Sequence, residues 1–302
     1  MENNGYNATF SSPAWQPIIN SSAWFMDMYA ITHPSQPNYI AMIAGSTLDC
    51  VDDSYFSTNE TTIIDLLNRA GVSWKAYQES YTPLMTSPNC NDDTKILSGL
   101  YVRRHNPFMS STAVRNSPTE CEKIVNSAEL AIDLANKQLP QFAFYTPNIN
   151  NDAHDTNLSY AGSYLQNWLN LYLNEPTFMN GTLLIVTFDE DENYGNQTSR
   201  IPAFVWGADY LYSGVSIPGT FNHYSLTKLL EENWGLGTLG REDVTASSIM
   251  DIWRPTANSN STTTQTTSTI TNMASKSSDY NEIVWKLSFV AYYLMFVISM
   301  TC

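Results

Sequence analysis

The stretch that most restricts this chain is residues 181–188, G-T-L-L-I-V-T-F. It is a continuous apolar run rich in β-branched residues, with no polar face to offer water. Such a run reads as a strand covered on both sides, typical of the centre of a parallel sheet. It ends abruptly in four consecutive acids, Asp189 to Glu192. The rest of the chain supplies partners and crossovers. Residues 24–30, 72–77, 141–146 and 201–206 read as further strands. Helices are expected over 61–70 with Gly71 as the stop, over 117–137 with Pro118 in its first turn, and over 160–173 and 224–234. Strands alternating with helices predict an α/β fold, a doubly wound and mostly parallel sheet flanked by helices. In such sheets, chemistry gathers at the carboxyl ends of strands. Asp152, His154, Asp189 and Glu190 all follow expected strands.

A second stretch carries chemical information. Residues 32–39 read T-H-P-S-Q-P-N-Y, between the strand at 24–30 and a small-residue helix ending at Gly45. Two prolines fix the backbone there. A hydroxyl just before a helix meets the N–H groups and the positive dipole end of that helix, a favourable place to attack a phosphate. Ser35 is therefore the candidate nucleophile, although a serine in a turn is ordinarily a cap residue.

The formal net charge of −15 argues against general nucleic-acid binding, which needs clustered Lys and Arg. The cysteines, Cys50, Cys90, Cys121 and Cys302, include no C-x-x-C pair, which argues against a zinc knuckle or thioredoxin-like motif. A Cys90–Cys121 disulfide is favoured, with Cys50 as the competitor. Asn7, Asn20, Asn59, Asn157, Asn180, Asn196 and Asn260 all open N-x-S/T sequons, which with the cysteines and the acidity favour an extracellular or cell-surface location. No signal peptide opens the sequence given. Residues 1–255 carry the core-forming patterns. Residues 256–279 are rich in Ser, Thr and Asn and read as a disordered stalk. Residues 280–302 are largely apolar and match either a GPI-attachment signal or a tail anchor, so attachment to a membrane through this tail is expected.

The four histidines, His33, His105, His154 and His223, each lie in a polar turn beside Ser35, Arg103-Arg104, Asp152 and Asp155, or a helix start. Asp189-Glu190 at a strand end suits a divalent cation, and an ordinary solvated acidic loop is the plain alternative. Asp152-Ala153-His154-Asp155 suits a metal site or an acid–base pair, and a capped turn is the plain alternative.

A series of motifs occurs in order: Glu2-Asn3; residues 32–39 with Gly45-Ser46-Thr47; W-K-A-Y-Q-E at 74–79; R-H-N-P-F at 104–108; and Pro147-Asn148 with D-A-H-D at 152–155. T-F-D-E-D at 187–191 follows, then His223-Tyr224-Ser225 with N-W-G-L at 233–236. In this the chain resembles the phosphoesterase family of secreted fungal-type acid phosphatases. That family also includes bacterial acid phosphatases and phosphatidylcholine-type phospholipases C, and belongs to the alkaline phosphatase-like superfamily. The resemblance covers roughly residues 1–250.

The resemblance implies roles. Ser35 is the nucleophile that forms a phosphoserine. Glu2, Asn3, Asp189 and Glu190 hold one divalent cation; many relatives have Asp-Asp or Asp-His at the last pair. His154 and His223 serve proton transfer to the leaving alkoxide. Asn38, His33, Asp152 and His105 are expected at the phosphate. In relatives a central strand precedes the Glu-Asn pair, so the first strand is missing from this sequence. The implied activity is hydrolysis of small phosphomonoesters. A phospholipase C-type phosphodiesterase and a non-catalytic cell-surface glycoprotein are the alternatives.

Overall fold

The computed structural model describes residues 3–82, 90, 99–193, 199–207, 213–250 and 293–298. Its strands are β1 (Ala23–Tyr29), β2 (Trp74–Gln78), β3 (Ile124–Asn126), β4 (Phe142–Thr146) and β5 (Thr182–Thr187). They continue with β6 (Arg200–Ile201), β7 (Ala203–Gly207), β8 (Val215–Asn222) and β9 (Tyr293–Ile298). All join one sheet in the order β3-β2-β4-β9-β5-β7-β1-β6, with β8 on β1. The half from β3 to β5 is parallel throughout. β7 runs antiparallel to both β5 and β1, so the other half is mixed. The fold is an α/β architecture built on one mostly parallel sheet.

Every residue of β5 is buried, as its unbroken apolar run requires. Around it pack Trp15, Phe188 and Phe204, with ring centroids 5.5 Å and 5.7 Å from Trp15. The expected strand at 201–206 is two short ones, split at Pro202, which has no N–H to give a ladder. Helix Ile63–Ala70 opens with a Thr62/Asp65 capping box and stops at Gly71 in the left-handed region, as its sequence signals.

Two segments depart from the sequence reading. The single helix expected over 117–137 is a short helix Pro118–Cys121, strand β3, and a helix Glu129–Ala135. Ile124 and Val125 are β-branched and extend the sheet beside β2, and sheet pairing outweighs the apolar spacing that suggested a helix. A disulfide joins Cys90 to Cys121 just before this strand, and Cys50 is a buried free thiol. The second is β9. It lies within the segment expected as an apolar tail, and it pairs in parallel with β4 on one side and β5 on the other. It thereby occupies the place between β4 and β5 in the sheet. The stalk at 256–279 lies outside the described residues.

Helix Ser35–Ala44 is buried along its whole length. It packs on helix His223–Trp234, whose Thr227 hydroxyl donates to Ala41 O (3.1 Å) or Met42 O (2.9 Å). It ends at Gly45 with φ +60°, where a Cβ would lie 2.5 Å from Asp243 Oδ1, so only glycine fits.

Candidate active site

Two strand ends meet at the site. β1 leads into a tight turn, and Ser35 is the first residue of the following helix. β5 delivers Asp189 and Glu190, both fully buried. Glu190 bridges the turn: Oε1 accepts the Ser35 hydroxyl (3.2 Å) and Oε2 lies 2.5 Å from His33 Nδ1. The other His33 nitrogen is 3.7 Å from Asp191 Oδ1. The nucleophile candidate, an imidazole and a carboxylate are thus assembled from residues more than 150 positions apart.

Asp189 accepts the Glu190 amide through Oδ1 (2.7 Å), and its Oδ2 is buried with no hydrogen-bond partner among the described residues. Burial pushes its carboxyl up to about 7, against the pull of the Ser35 hydroxyl. His223 starts its helix behind an Asn222 cap and donates Nε2–H to Asp189 O (2.7 Å). Burial pushes the ring down to about 4, so it is neutral with its lone pair on Nδ1. That corrects the proton-donor role expected of His223: its one N–H is committed to a backbone carbonyl.

The second group forms after β4. His154 Nδ1 lies 2.5 Å from Asp155 Oδ1, and Nε2 lies 3.2 Å from Arg104 Nη2. Arginine only donates, so Nε2 is the accepting nitrogen and Nδ1–H faces Asp155. Asp152 is fully buried, accepts the His154 amide (2.8 Å), and lies 3.6 Å from His105 Nδ1. His105 is buried and stacked on Tyr39 of the nucleophile helix at 5.2 Å. Burial first, and then Arg104 and His154, hold its ring far below the usual histidine range. His105 therefore packs behind the site as a neutral ring, and Asp152 holds the His154 backbone.

Two further expectations are corrected. Asn38, expected at the phosphate, is fully buried and saturated: Oδ1 accepts from Ile31 N and Thr32 N, and Nδ2 donates to Thr32 O and Pro34 O. It holds the turn that carries His33 and Ser35. One amide of the helix N-terminus is engaged as well, because Gln36 N–H donates to Asp53 Oδ1 (2.9 Å). Asp53 lies 3.9 Å from Arg104 Nε, so one acid links the nucleophile helix to the histidine group. Sequence reasoning missed Asp53, which has no local motif. Arg104 stands inside the R-H-N-P-F motif and could have been singled out there.

Glu2 lies outside the described residues. Asn3 has a buried Oδ1 without a hydrogen-bond partner, and nearby Gly5 N donates to Glu192 Oε2 (2.7 Å), so the amino-terminal segment lies against the acidic strand end. Among the described residues no three His, Cys, Asp or Glu side chains are gathered as a cation centre. The unpartnered oxygens of Asp189 and Asn3 nonetheless suit a hard cation. Both oxygens of Glu190 are already engaged. Asn7, Asn20, Asn59, Asn157 and Asn180 are exposed, while Asn196 and Asn260 lie outside the described residues.

Residues 18–237 match the model of the phosphoesterase family. The chain belongs to the phosphoesterase family. It is 35% identical over 253 residues to an acid phosphatase of Aspergillus fumigatus, covering 82% of this chain and 56% of that protein. The chain thus spans little more than half the length of that relative. It is 30% identical over 264 residues to a phosphatidylinositol-3-phosphatase of Mycobacterium tuberculosis, covering 84% of this chain and 81% of that one. Its fold is similar to that of a protein in the alkaline phosphatase superfamily from Vibrio parahaemolyticus. The TM-score is 0.53 at 14% identity, covering 84% of this chain and 70% of that one.

Proposed function

We propose that this phosphoesterase is an acid phosphatase that hydrolyses phosphomonoesters through a phosphoserine at Ser35. The observation that carries the reading is the Ser35 hydroxyl on Glu190 Oε1 at 3.2 Å, at the start of a buried helix and beside Asp189. Ser35 Oγ attacks phosphorus and its proton passes to Glu190. The bond from phosphorus to the ester oxygen breaks, and the leaving alkoxide takes a proton to become an alcohol. Water then cleaves the phosphoserine, releasing inorganic phosphate and restoring the hydroxyl. His33 holds the second oxygen of Glu190 and fixes its orientation. His223 keeps the Asp189 peptide in place. His154, with Asp155 on one nitrogen and Arg104 on the other, holds Arg104 beside the site, and the leaving alkoxide takes back from Glu190 the proton that Ser35 gave it.

Asp189 and Asn3 would hold a divalent cation through their unpartnered oxygens, with Glu2 as the further ligand that the family resemblance supplies. When bound, such a cation neutralises charge on a phosphoryl oxygen and favours ionisation of the serine hydroxyl. The exposed sequon asparagines support a secretory route. Membrane attachment through the tail would require β9 to leave the sheet.

The test is hydrolysis of p-nitrophenyl phosphate against its bis-ester at acid and neutral pH, with acid-quench trapping of a phosphoserine. The unmodified protein should cleave the monoester and Ser35→Ala should abolish both turnover and label. Full activity in Ser35→Ala would sink the assignment. The mycobacterial relative favours a second reading, in which the monoester is a phosphoinositide headgroup. Preferential release of phosphate from phosphatidylinositol 3-phosphate would select it.

A further inference from the structure

An open groove of about 440 Å³ lies at the end of the sheet opposite the site. β5 starts beside it at Thr182 and carries Asp189 past its other end. The volume is within the range of small-ligand pockets. Leu173, Met179 and Trp206 line the groove and are buried or half-buried, whereas Ser21, Asn180 and Ser213 line it and are exposed. The groove therefore has an apolar floor and a polar rim.

One rim residue can carry its own ligand. Asn180 opens the sequon Asn180-Gly181-Thr182. The turn beneath it is firmly held. Asn180 N donates to Pro176 O (2.9 Å), closing the short helix Pro176–Met179. Gly181 follows in the left-handed region at φ +74°, and Thr182 starts β5 with its hydroxyl donating to Phe178 O. The Asn180 side chain has no hydrogen-bond partner among the described residues. Asn157, by contrast, is occupied as a helix cap: its Oδ1 accepts from Ser159 N (3.0 Å) and Tyr160 N (3.1 Å).

We propose that this groove seats the first N-acetylglucosamine of an N-glycan on Asn180. A lipid-linked oligosaccharide diphosphate is the donor. The bond from sugar C1 to Asn180 Nδ2 forms, the bond from C1 to the diphosphate oxygen breaks, and the amide loses one proton. A pyranose has a face of C–H groups and an edge of polar groups, which matches an apolar floor inside a polar rim. Tethering at the rim gives a weak contact a high effective concentration. The seated sugar removes apolar surface from water beside the start of β5, so its effect falls on stability. The inference rests on the secretory route supported above.

The experiment secretes the full chain from a eukaryotic host behind a secretion leader and maps occupied sequons by peptide mass spectrometry. Thermal melts then compare intact protein, protein trimmed by an endoglycosidase to one sugar per site, and protein stripped by an amidase. Intact and trimmed protein should melt together. Stripping should lower Tm by about 2–4 °C, the scale of one modest contact in a domain of this size. Asn180→Gln should cause the same loss in glycosylated protein and shift unglycosylated protein by less than about 1 °C. Met179→Ala opens the floor, and it should at least halve the difference between trimmed and stripped protein. That difference is read within one variant, so any cost of the substitution itself cancels. A bare Asn180 beside other occupied sequons overturns the inference and leaves the secretory reading standing. So does an Asn180→Gln shift that is absent or equal with and without glycans, or an undiminished difference in Met179→Ala. A loss that follows Asn20→Gln instead gives the groove to another glycan and overturns it too. If no sequon is occupied, the secretory reading falls and the inference falls with it.

Discussion

Asn38 is the residue whose replacement should be most informative. Its side chain makes four hydrogen bonds: from Ile31 N (2.8 Å) and Thr32 N (3.2 Å), and to Thr32 O (2.8 Å) and Pro34 O (3.1 Å). At about 1 kcal/mol net for each bond, Asn38→Ala forfeits up to about 4 kcal/mol. Ile31 to Pro34 are only part-buried, so water can recover some of these groups, and the expected loss is about 2–4 kcal/mol. In a domain of this size that lowers Tm by roughly 5–15 °C. Activity should fall with it, because His33 and Ser35 ride on the same turn. Asn38→Asp is the sharper probe. It keeps both acceptor bonds but sets a carboxylate against the Thr32 and Pro34 carbonyls. At neutral pH it should destabilise at least as much as alanine. The deficit should shrink as the pH falls and the carboxyl takes a proton that it can donate. The assay is a thermal melt of the three proteins at several pH values, paired with turnover of p-nitrophenyl phosphate. If Asn38→Ala melts within about 2 °C of the unmodified protein while turnover collapses, Asn38 touches the phosphate and the structural argument is wrong.

Two other perturbations test different parts of the molecule. Glu231 is buried beside Asp243 and its carboxyl is raised from 4.5 to about 7, chiefly by burial. A raised folded value means that this group stabilises the protein below pH 4.5 and that the contribution is lost as the pH rises through about 7. Glu231→Gln keeps an acceptor for Leu239 N, so it should gain about 2 kcal/mol over the unmodified protein at pH 8 and nothing at pH 4 in urea titrations. Equal midpoints at pH 8 would contradict the assignment. Removal of residues 256–302 strips β9 from between β4 and β5, which pair with it over Phe142–Tyr145 and Thr182–Thr187. The shortened protein should lose cooperative unfolding and bind a hydrophobic dye. Unchanged melting would show that the sheet does without that strand.

Much of the fold is legible in local patterns, because those patterns are set by burial and by the backbone. The apolar run ending at Phe188 requires a strand covered on both faces, and β5 is that strand. Gly71 and the Thr62/Asp65 pair mark their helix because capping uses neighbours in sequence. β3 was hidden, because Ile124 and Val125 show their strand character only when β2 lies alongside. β9 was hidden for the same reason: a short apolar segment suits a sheet centre or a membrane equally until its neighbours are known.

The site divides along the same line. By itself the sequence determined which chemical groups are present: a hydroxyl ahead of a helix, acids at a buried strand end, and a histidine beside aspartates. Those are properties of residue type and of position within one element. Tertiary structure alone decided what each group does, because hydrogen-bond capacity is finite and is spent on whichever neighbours the fold brings near. It gave Glu190 to Ser35 and His33, and it committed the one N–H of His223 to a backbone carbonyl. It used all four bonds of Asn38 within its own turn, and it brought Asp53, unmarked by any motif, to the Gln36 amide in the first turn of the nucleophile helix.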